Sequence, residues 1–458
     1  YLAKAGLKVL IVEKNDKVGG YCQSFEREGY RFDVGAHYLG SLREGNTLRK
    51  IFNDLNLDKE IKLIRSDPSD VIITKDYKIE IRNDIGQTIY NLQTNFPQQA
   101  KEIEKFLYFL TKSNRLELFL LNKNKTFREV LNSFFKDEKL KSIFCIMLGN
   151  RGLPSNLISA PAALVLYKEF ILDGGYYPIG GMQSFSNALA KVFQDFGGKI
   201  LLSTKVVKIL VNKNVAEGII LNTNDVINAK YIVSACDARQ TFLKLIGQEH
   251  LSKDFLYRLK KLIPSFSLFI VHLGLHKKME SDWYPHCGYW YFPSGEADKL
   301  YMKIHHGLID KSQKSFFYYF CPSQDFGESK SNRTSLNLII AVPFKTKIFW
   351  EKNKIPLANN LINRGEYSIN NFSRKYVSIS EITTPDNLFA YTLNYKGAVY
   401  GWASTLLQIQ KLIFYNNCLF QNLYQAGHWV IQTAGQGGIP MVAFSGFSVA
   451  NLILKKGV

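Results

Sequence analysis

The chain of 458 residues is 46% hydrophobic and 21% charged, which places it among globular proteins and makes it long enough for two domains. No run of about 18 uncharged apolar residues occurs, so a membrane-spanning helix is not expected. The formal net charge is +19, yet zinc-finger spacing, RNA-binding aromatic motifs and arginine-rich tracts are all missing, which argues against a nucleic-acid partner.

In chain order, YLAKAG reads as the end of a helix, with Gly6 where a C-cap belongs. The apolar run from Leu7 closes on Glu13. It looks like the second strand of a dinucleotide-binding βαβ unit, the acid placed to hold a ribose. A glycine loop belongs roughly 20 residues ahead of such an acid, but only twelve residues precede Glu13 and no GxGxxG occurs in the chain. The expectation is that roughly 20 to 30 residues are missing from the start. The alternative is a chain that has lost the loop and cannot hold a dinucleotide.

Residues 29–41 are punctuated by glycine and read as a loop with short extended pieces. Three- and four-residue spacing of apolar side chains predicts helices over 103–121 and 127–148. A second α/β pattern comes next. It comprises a helix at 182–196, a strand at 199–202, a hairpin of 206–212 and 215–221 through Lys213 and Asn214, and a strand at 229–235. Another strand is expected within 264–275, and 283–350 is rich in Tyr, Phe and Trp. The end returns to α/β character, with NLYQAGHWV as a strand, a glycine loop and a last helix, MVAFSGFSVANLILKK. Nucleotide-type segments at both ends and in the middle imply two interleaved domains. His305 and His306 fall in a strand-like segment on opposite faces, which makes them a poor joint ligand set.

Cysteines stand at 22, 145, 236, 287, 321 and 418 without a CxxC, so no zinc site or other metal centre is expected. Scattered cysteines of this kind suit a reducing, cytoplasmic compartment and core or near-core positions. The lysines are dispersed among acids, as in EKNDK, FKDEKLK and LHKKME. They read either as solvated faces or as a charge that draws the protein to an anionic membrane surface.

Four segments carry a resemblance to a known family. VLIVEKNDKVGGYCQSF with GYRFDVGAHYLG, GGYYPIGGMQSFSNALAKVF, TTPDNLFAYTLNYKGAVYGW and NLYQAGHWVIQTAGQGGIPMVAFSG stand in the expected order and reach from the start to about residue 455. Together they resemble the phytoene desaturase, carotenoid isomerase and retinol saturase group of the amine-oxidase-like flavoproteins. AGHW is closer to the carotenoid isomerase and retinol saturase branch.

The resemblance implies an α/β fold, with a Rossmann-like FAD-binding domain built from 1–75, 176–254 and 383–458. An α+β substrate domain would come from 76–175 and 255–382. It implies FAD as cofactor and a long apolar polyene or isoprenoid as substrate, desaturated, saturated or isomerised. An amine-oxidase-like enzyme with a polar substrate is the competing reading, and a flavin-free lipid-binding relative is the non-enzymatic one.

On the same resemblance Glu13 would hold the FAD ribose, and Gly19 and Gly20, lacking Cβ atoms, would admit the diphosphate. Tyr21 stands where relatives usually place a phosphate-binding arginine. Val206 and Val207 would pass the adenine with their backbone. Gly427, and Gly437, Gly438, Ile439 and Pro440 at the start of the last helix, would face the pyrophosphate or the ring. His37 and His428 lie in the two glycine-rich segments that flank the flavin and could move a proton. A structural, hydrogen-bonding role is the commoner fate of a lone histidine.

Overall fold

The computed structural model describes residues 1–276, 284, 286–310, 317–323, 333–412, 420–430 and 438–457. Residues 1–5 form a helical turn that closes at Gly6, whose φ is +85°. Gly6 N donates to Ala3 O at 2.8 Å and Leu7 N to Leu2 O at 3.2 Å, the two bonds of a glycine C-cap. The strand Leu10–Val12 then pairs in parallel with Lys199–Leu201. A second parallel pair joins Ile232–Ser234 to Leu423–Gln425. Parallel partners this distant in sequence require crossover connections, and the helix Met182–Asp195 supplies part of one. The hairpin of Val206–Asn212 and Val215–Leu221 turns through Lys213 and Asn214, both at positive φ, the conformation a two-residue hairpin loop demands. Its third strand, Val226–Asn228, has no counterpart in the periodicity, and the strand expected at 229–235 is confined to Ile232–Ser234.

The largest sheet has seven strands in the order Val377–Thr383, Ser267–Leu275, Thr334–Val342, Phe317–Ser323, Gly288–Tyr291, Asp70–Ile73 and Lys78–Ile81. All neighbours are antiparallel except Gly288–Tyr291 with Asp70–Ile73. Strands buried on both faces read as continuous apolar runs rather than alternating ones, and SLFIVHLGL is such a run. Phe269, Val271 and Leu273 pack with Trp350 and Leu361 of the helix Lys347–Ser368. Ile270 and Ile339 face the opposite way, into a core shared with the helices between Ala100 and Asp173. The sheet is therefore a wall between two cores. Asp70–Ile73 lies ahead of residue 75, so this sheet begins before the border expected between the two units.

The helical layer is more broken than the apolar spacing implies. The structure has Ala100–Lys112, Arg115–Asn122, Phe127–Phe134 and Glu138–Ile146 in place of two long helices. Asn114 and Thr126 restart the chain as N-caps, each in a capping box with Glu117 or Glu129, and Asp137 caps the next helix. Capping side chains satisfy the free N–H groups of a first turn, so Asn114 and Asp137 start new helices inside the two expected ones, while Thr126 starts the helix expected from 127. His305 ends the helix Ala297–His305 and is not in a strand.

Candidate functional site

A cavity of about 860 Å³ separates the paired parallel strands from the wall of the large sheet. Small-molecule sites commonly occupy about 300–1,000 Å³. One end is built by the strand Leu10–Val12 and the loop that leaves it. Glu13 N donates to Leu201 O at 2.8 Å, which extends the parallel pair by one residue and brings Glu13 to the cavity lining. Its Oε1 accepts Asn15 N at 2.9 Å. Gly19 and Gly20 turn the loop at φ +119° and +56° and also line the cavity. A Cβ at Gly19 would strike the Ser186 side chain, whereas one at Gly20 would meet no protein atom within 4 Å. The loop is held from the helix Met182–Asp195, through Gln183 Nε2 to Val18 O at 3.1 Å and Ser186 Oγ to Cys22 O at 2.8 Å.

Across the cavity stands the last helix, Ile439–Leu454. Gly438, at φ +109°, is its N-cap, and Ile439 and Pro440 begin its first turn, all three in the lining. A Cβ at Gly438 would also meet nothing within 4 Å. This arrangement leaves backbone and a positive helix-dipole end facing open volume, which suits an anion such as a diphosphate. Gly427 lines the same side and donates its N–H to Ser445 Oγ at 2.8 Å, tying the strand end to this helix. Gly437 lies outside the described residues. Val206 is in the lining, but Val207 is exposed on the other face of its strand, because successive side chains alternate.

Both histidines line the cavity. Burial, with His272 adding repulsion, pulls His37 down to a pKa of about 3. Its ring lies 5.3 Å from Phe320 and its Nδ1 has no hydrogen-bond partner. Burial lowers His428 to about 4, and its ring stands 6.1 Å from that of Tyr21. Both are neutral imidazoles near pH 7. Tyr21, in place of a phosphate-binding arginine, donates its hydroxyl to Ala398 O at 3.1 Å and so joins the first and third recognised segments.

Several lining residues escaped the sequence. Asp237 accepts Arg239 N on Oδ1 and Tyr395 N on Oδ2, each at 2.6 Å. Burial raises its pKa against those bonds. A strand ending in SACD is the one signal that could have marked it. Deeper in, the lining becomes aromatic and aliphatic, with Phe266, Leu268, Trp290, Tyr318, Ile339 and Tyr400. Arg151 enters this part, 8% exposed, its guanidinium 5.6 Å from the Tyr400 ring centre, and burial lowers its pKa. Among the described residues the lining carboxylates are Glu13, Glu169 and Asp237. Glu169 pairs with Arg115 at 2.9 Å.

Of the cysteines, Cys145 and Cys287 are buried and Cys22 half-buried, all free, while Cys236 is exposed and lines the cavity. Among the described residues no group of three potential metal ligands forms, and no helix is long and apolar enough to cross a membrane.

Residues 1–325 match the family described as flavin containing amine oxidoreductase. The chain is 28% identical to an inactive all-trans-retinol 13,14-reductase of Danio rerio over 61% of its length, spanning about half (52%) of that relative. It is 23% identical to a 4,4'-diaponeurosporene oxygenase of Staphylococcus haemolyticus, over 99% of this chain and 93% of the relative. Among solved structures, an oxidoreductase from Methanosarcina mazei superposes with a TM-score of 0.67 at 16% identity, covering 98% of this chain and 96% of the other. A putrescine oxidase variant also gives 0.67, at 12% identity, over 100% and 95%. At such identities these two share the fold. The chain belongs to the flavin containing amine oxidoreductase family, and it is an oxidoreductase whose family membership implies a flavin cofactor.

Proposed function

We propose that the protein is an FAD-dependent oxidoreductase of the phytoene desaturase-like group, acting on a long apolar polyene or isoprenoid. The residues present fit FAD. Glu13 would accept the ribose hydroxyls, Gly19 and Gly20 would admit the diphosphate, and the turn Gly438–Pro440 would face its charge. The segments 1–75, 176–254 and 383–458 would form most of that site, and 76–175 with 255–382 most of the substrate site. Bound flavin supplies hydride acceptance or donation. The chain's own part is to orient the substrate on an apolar wall, keep water out, and offer uncharged imidazoles at His37 and His428 for hydrogen bonding or proton movement.

The observation that carries the substrate reading is the inner lining, apolar and aromatic but holding Arg151. A small amine is protonated near neutral pH and would meet that guanidinium in a low-dielectric site, a repulsion that burial strengthens. The lining carboxylates that could offset it are engaged, Glu169 by Arg115 and Asp237 by backbone N–H groups, or lie at the Glu13 end. A neutral polyene carries no such cost. Two relatives are named for retinol and diaponeurosporene, which are molecules of this class.

The test is anaerobic mixing of the flavin-loaded protein with polyenes of graded length and, separately, with small primary amines. Bleaching of the oxidised flavin, or reoxidation of the reduced flavin, by polyenes supports the proposal. Product formation without net electron flow identifies isomerisation. Bleaching by the amines alone would overturn the reading in favour of an amine oxidase.

A further inference from the structure

The helix Arg115–Asn122 has an unusual outer surface. Leu116 is 64% exposed, Leu120 54% and Leu121 62%, while Leu118 on the opposite face is fully buried. Leu116 and Leu120 are one turn apart, so their side chains adjoin, with Leu121 beside them. A neighbouring element meets the end of this helix. Gln410 of the helix Leu406–Leu412 donates to Asn124 Oδ1 at 3.2 Å, just past the first helix, and Leu407 there is 69% exposed. Scattered exposed leucines need no explanation, but several large ones on one eight-residue helix form a contiguous apolar face.

The charges around this face are mostly positive, three lysines against one exposed acid, Glu117. Lys112, Lys123 and Lys125 are exposed at the two ends of the helix. The helix's own acid, Glu117, is turned back, its Oε2 accepting Asn114 N at 2.8 Å in the capping box. Exposed leucines rimmed by lysines, on a chain of net charge +19, match the apolar core and anionic surface of a lipid bilayer. A second copy of the chain would bring the same lysines together.

The helix also leads to the cavity. Arg115, its first residue, lines the cavity, yet its side chain remains 37% exposed. Arg115 thus belongs both to the leucine-bearing helix and to the cavity lining. Its guanidinium is fixed there by Glu169 and by Thr47 Oγ1 at 3.0 Å.

We infer that the leucine face of helix Arg115–Asn122 docks on an anionic lipid bilayer and sets the Arg115 side of the cavity against the membrane. Docking follows from the patch and its charges alone. Passage of substrate from lipid into the cavity rests additionally on the polyene reading above.

Co-sedimentation of the purified chain with phosphatidylcholine vesicles, with and without phosphatidylglycerol, tests the docking. Binding is expected to favour the anionic vesicles and to fall as salt screens the lysines. Leu116→Ser/Leu120→Ser/Leu121→Ser is expected to weaken it at least about tenfold through lost apolar burial. Lys123→Glu/Lys125→Glu, which leaves the leucines in place, is expected to weaken it on the order of tenfold or more. Unchanged thermal unfolding midpoints show that the variants are folded. If the charge variant alone is folded, its loss of binding carries the test. Vesicle binding equal to wild type in either folded variant would overturn the inference. So would wild-type chain that ignores anionic vesicles, or a leucine variant that alters only the monomer–dimer balance in sedimentation equilibrium, which would assign the face to self-association. Vesicle binding without polyene turnover would leave docking in place and remove only the delivery of substrate.

Discussion

Trp290 donates its indole N–H to Asp70 Oδ1 at 2.8 Å, and this pair lies behind the aromatic end of the cavity. Asp70 is completely buried and its Oδ2 has no hydrogen-bond partner. Burial raises its pKa to about 6, against the bonds from Trp290, Ser69 and Tyr38. The ionised acid is thus what the fold disfavours. Trp290 and Tyr38 both line the cavity, so the acid helps to set rings that face into it.

That shift has a sign. The folded chain holds the Asp70 proton more tightly than the unfolded chain, so the stability linked to it is complete below pH 4. It declines as pH rises through about 6, the folded value. Asp70→Asn removes this decline while keeping an acceptor for Trp290. Relative to wild type, the variant is expected to gain about 3 kcal/mol between pH 4 and pH 7, taking about 1.4 kcal/mol per pKa unit. The buried histidines give the opposite trend in this range, so the comparison of interest is variant minus wild type. Urea unfolding at four pH values measures it, and parallel curves would show that Asp70 ionises without cost.

Glu13→Ala is expected to weaken FAD binding by roughly 1.5–3 kcal/mol, the scale of a hydrogen bond to a charged group. FMN, which lacks the adenosine ribose, should bind the variant and the wild type alike. Fluorescence titration with both flavins separates the two cases. Equal losses for both would place Glu13 in the fold of the loop and not at the ribose.

His37 and His428 are held near pKa 3 and 4 by burial, so both are uncharged from pH 5 upward. The rate profile of the flavin-loaded enzyme is expected to show no inflection between pH 6 and 7 from either ring, since an ordinary imidazole titrates near 6.5. A basic limb centred near 6.5 that vanishes in His428→Gln would show that the bound state restores an ordinary imidazole there.

Gly401 sits at φ +69°, and a Cβ there would run into the carbonyl oxygen of His428. Gly401→Ala is expected to cost about 1–3 kcal/mol from the left-handed backbone alone, with displacement of His428 in addition. Lowered thermal stability together with an altered flavin absorption band would confirm the coupling. An unchanged band in a destabilised protein would confine Gly401 to packing beneath Trp402 and Trp429, whose rings meet at 4.8 Å.

Local chemistry made much of the framework legible. An apolar run ending in Glu13, a hairpin turning on Lys213 and Asn214, a glycine-capped turn at Gly6 and a proline-started last helix are each decided within a few residues. The order of four short segments pointed to the flavoprotein fold because such segments hold one architecture wherever they occur together. Even the break inside the first expected helix stood in the chain as NRLE, although apolar spacing ran through it, and TFRE marked the start of the second. Tertiary structure alone decided what meets inside the cavity. Asp70 and Trp290 are 220 residues apart, Asp237 and Tyr395 158, and neither pairing leaves a trace in local pattern. Val207 fell on the outer face because strand pairing, not its own sequence, sets which side turns inward. The depressed histidines, the raised Asp70 and the buried Arg151 have the same origin, since desolvation depends on every segment that closes around a group, and those segments come from the whole length of the chain.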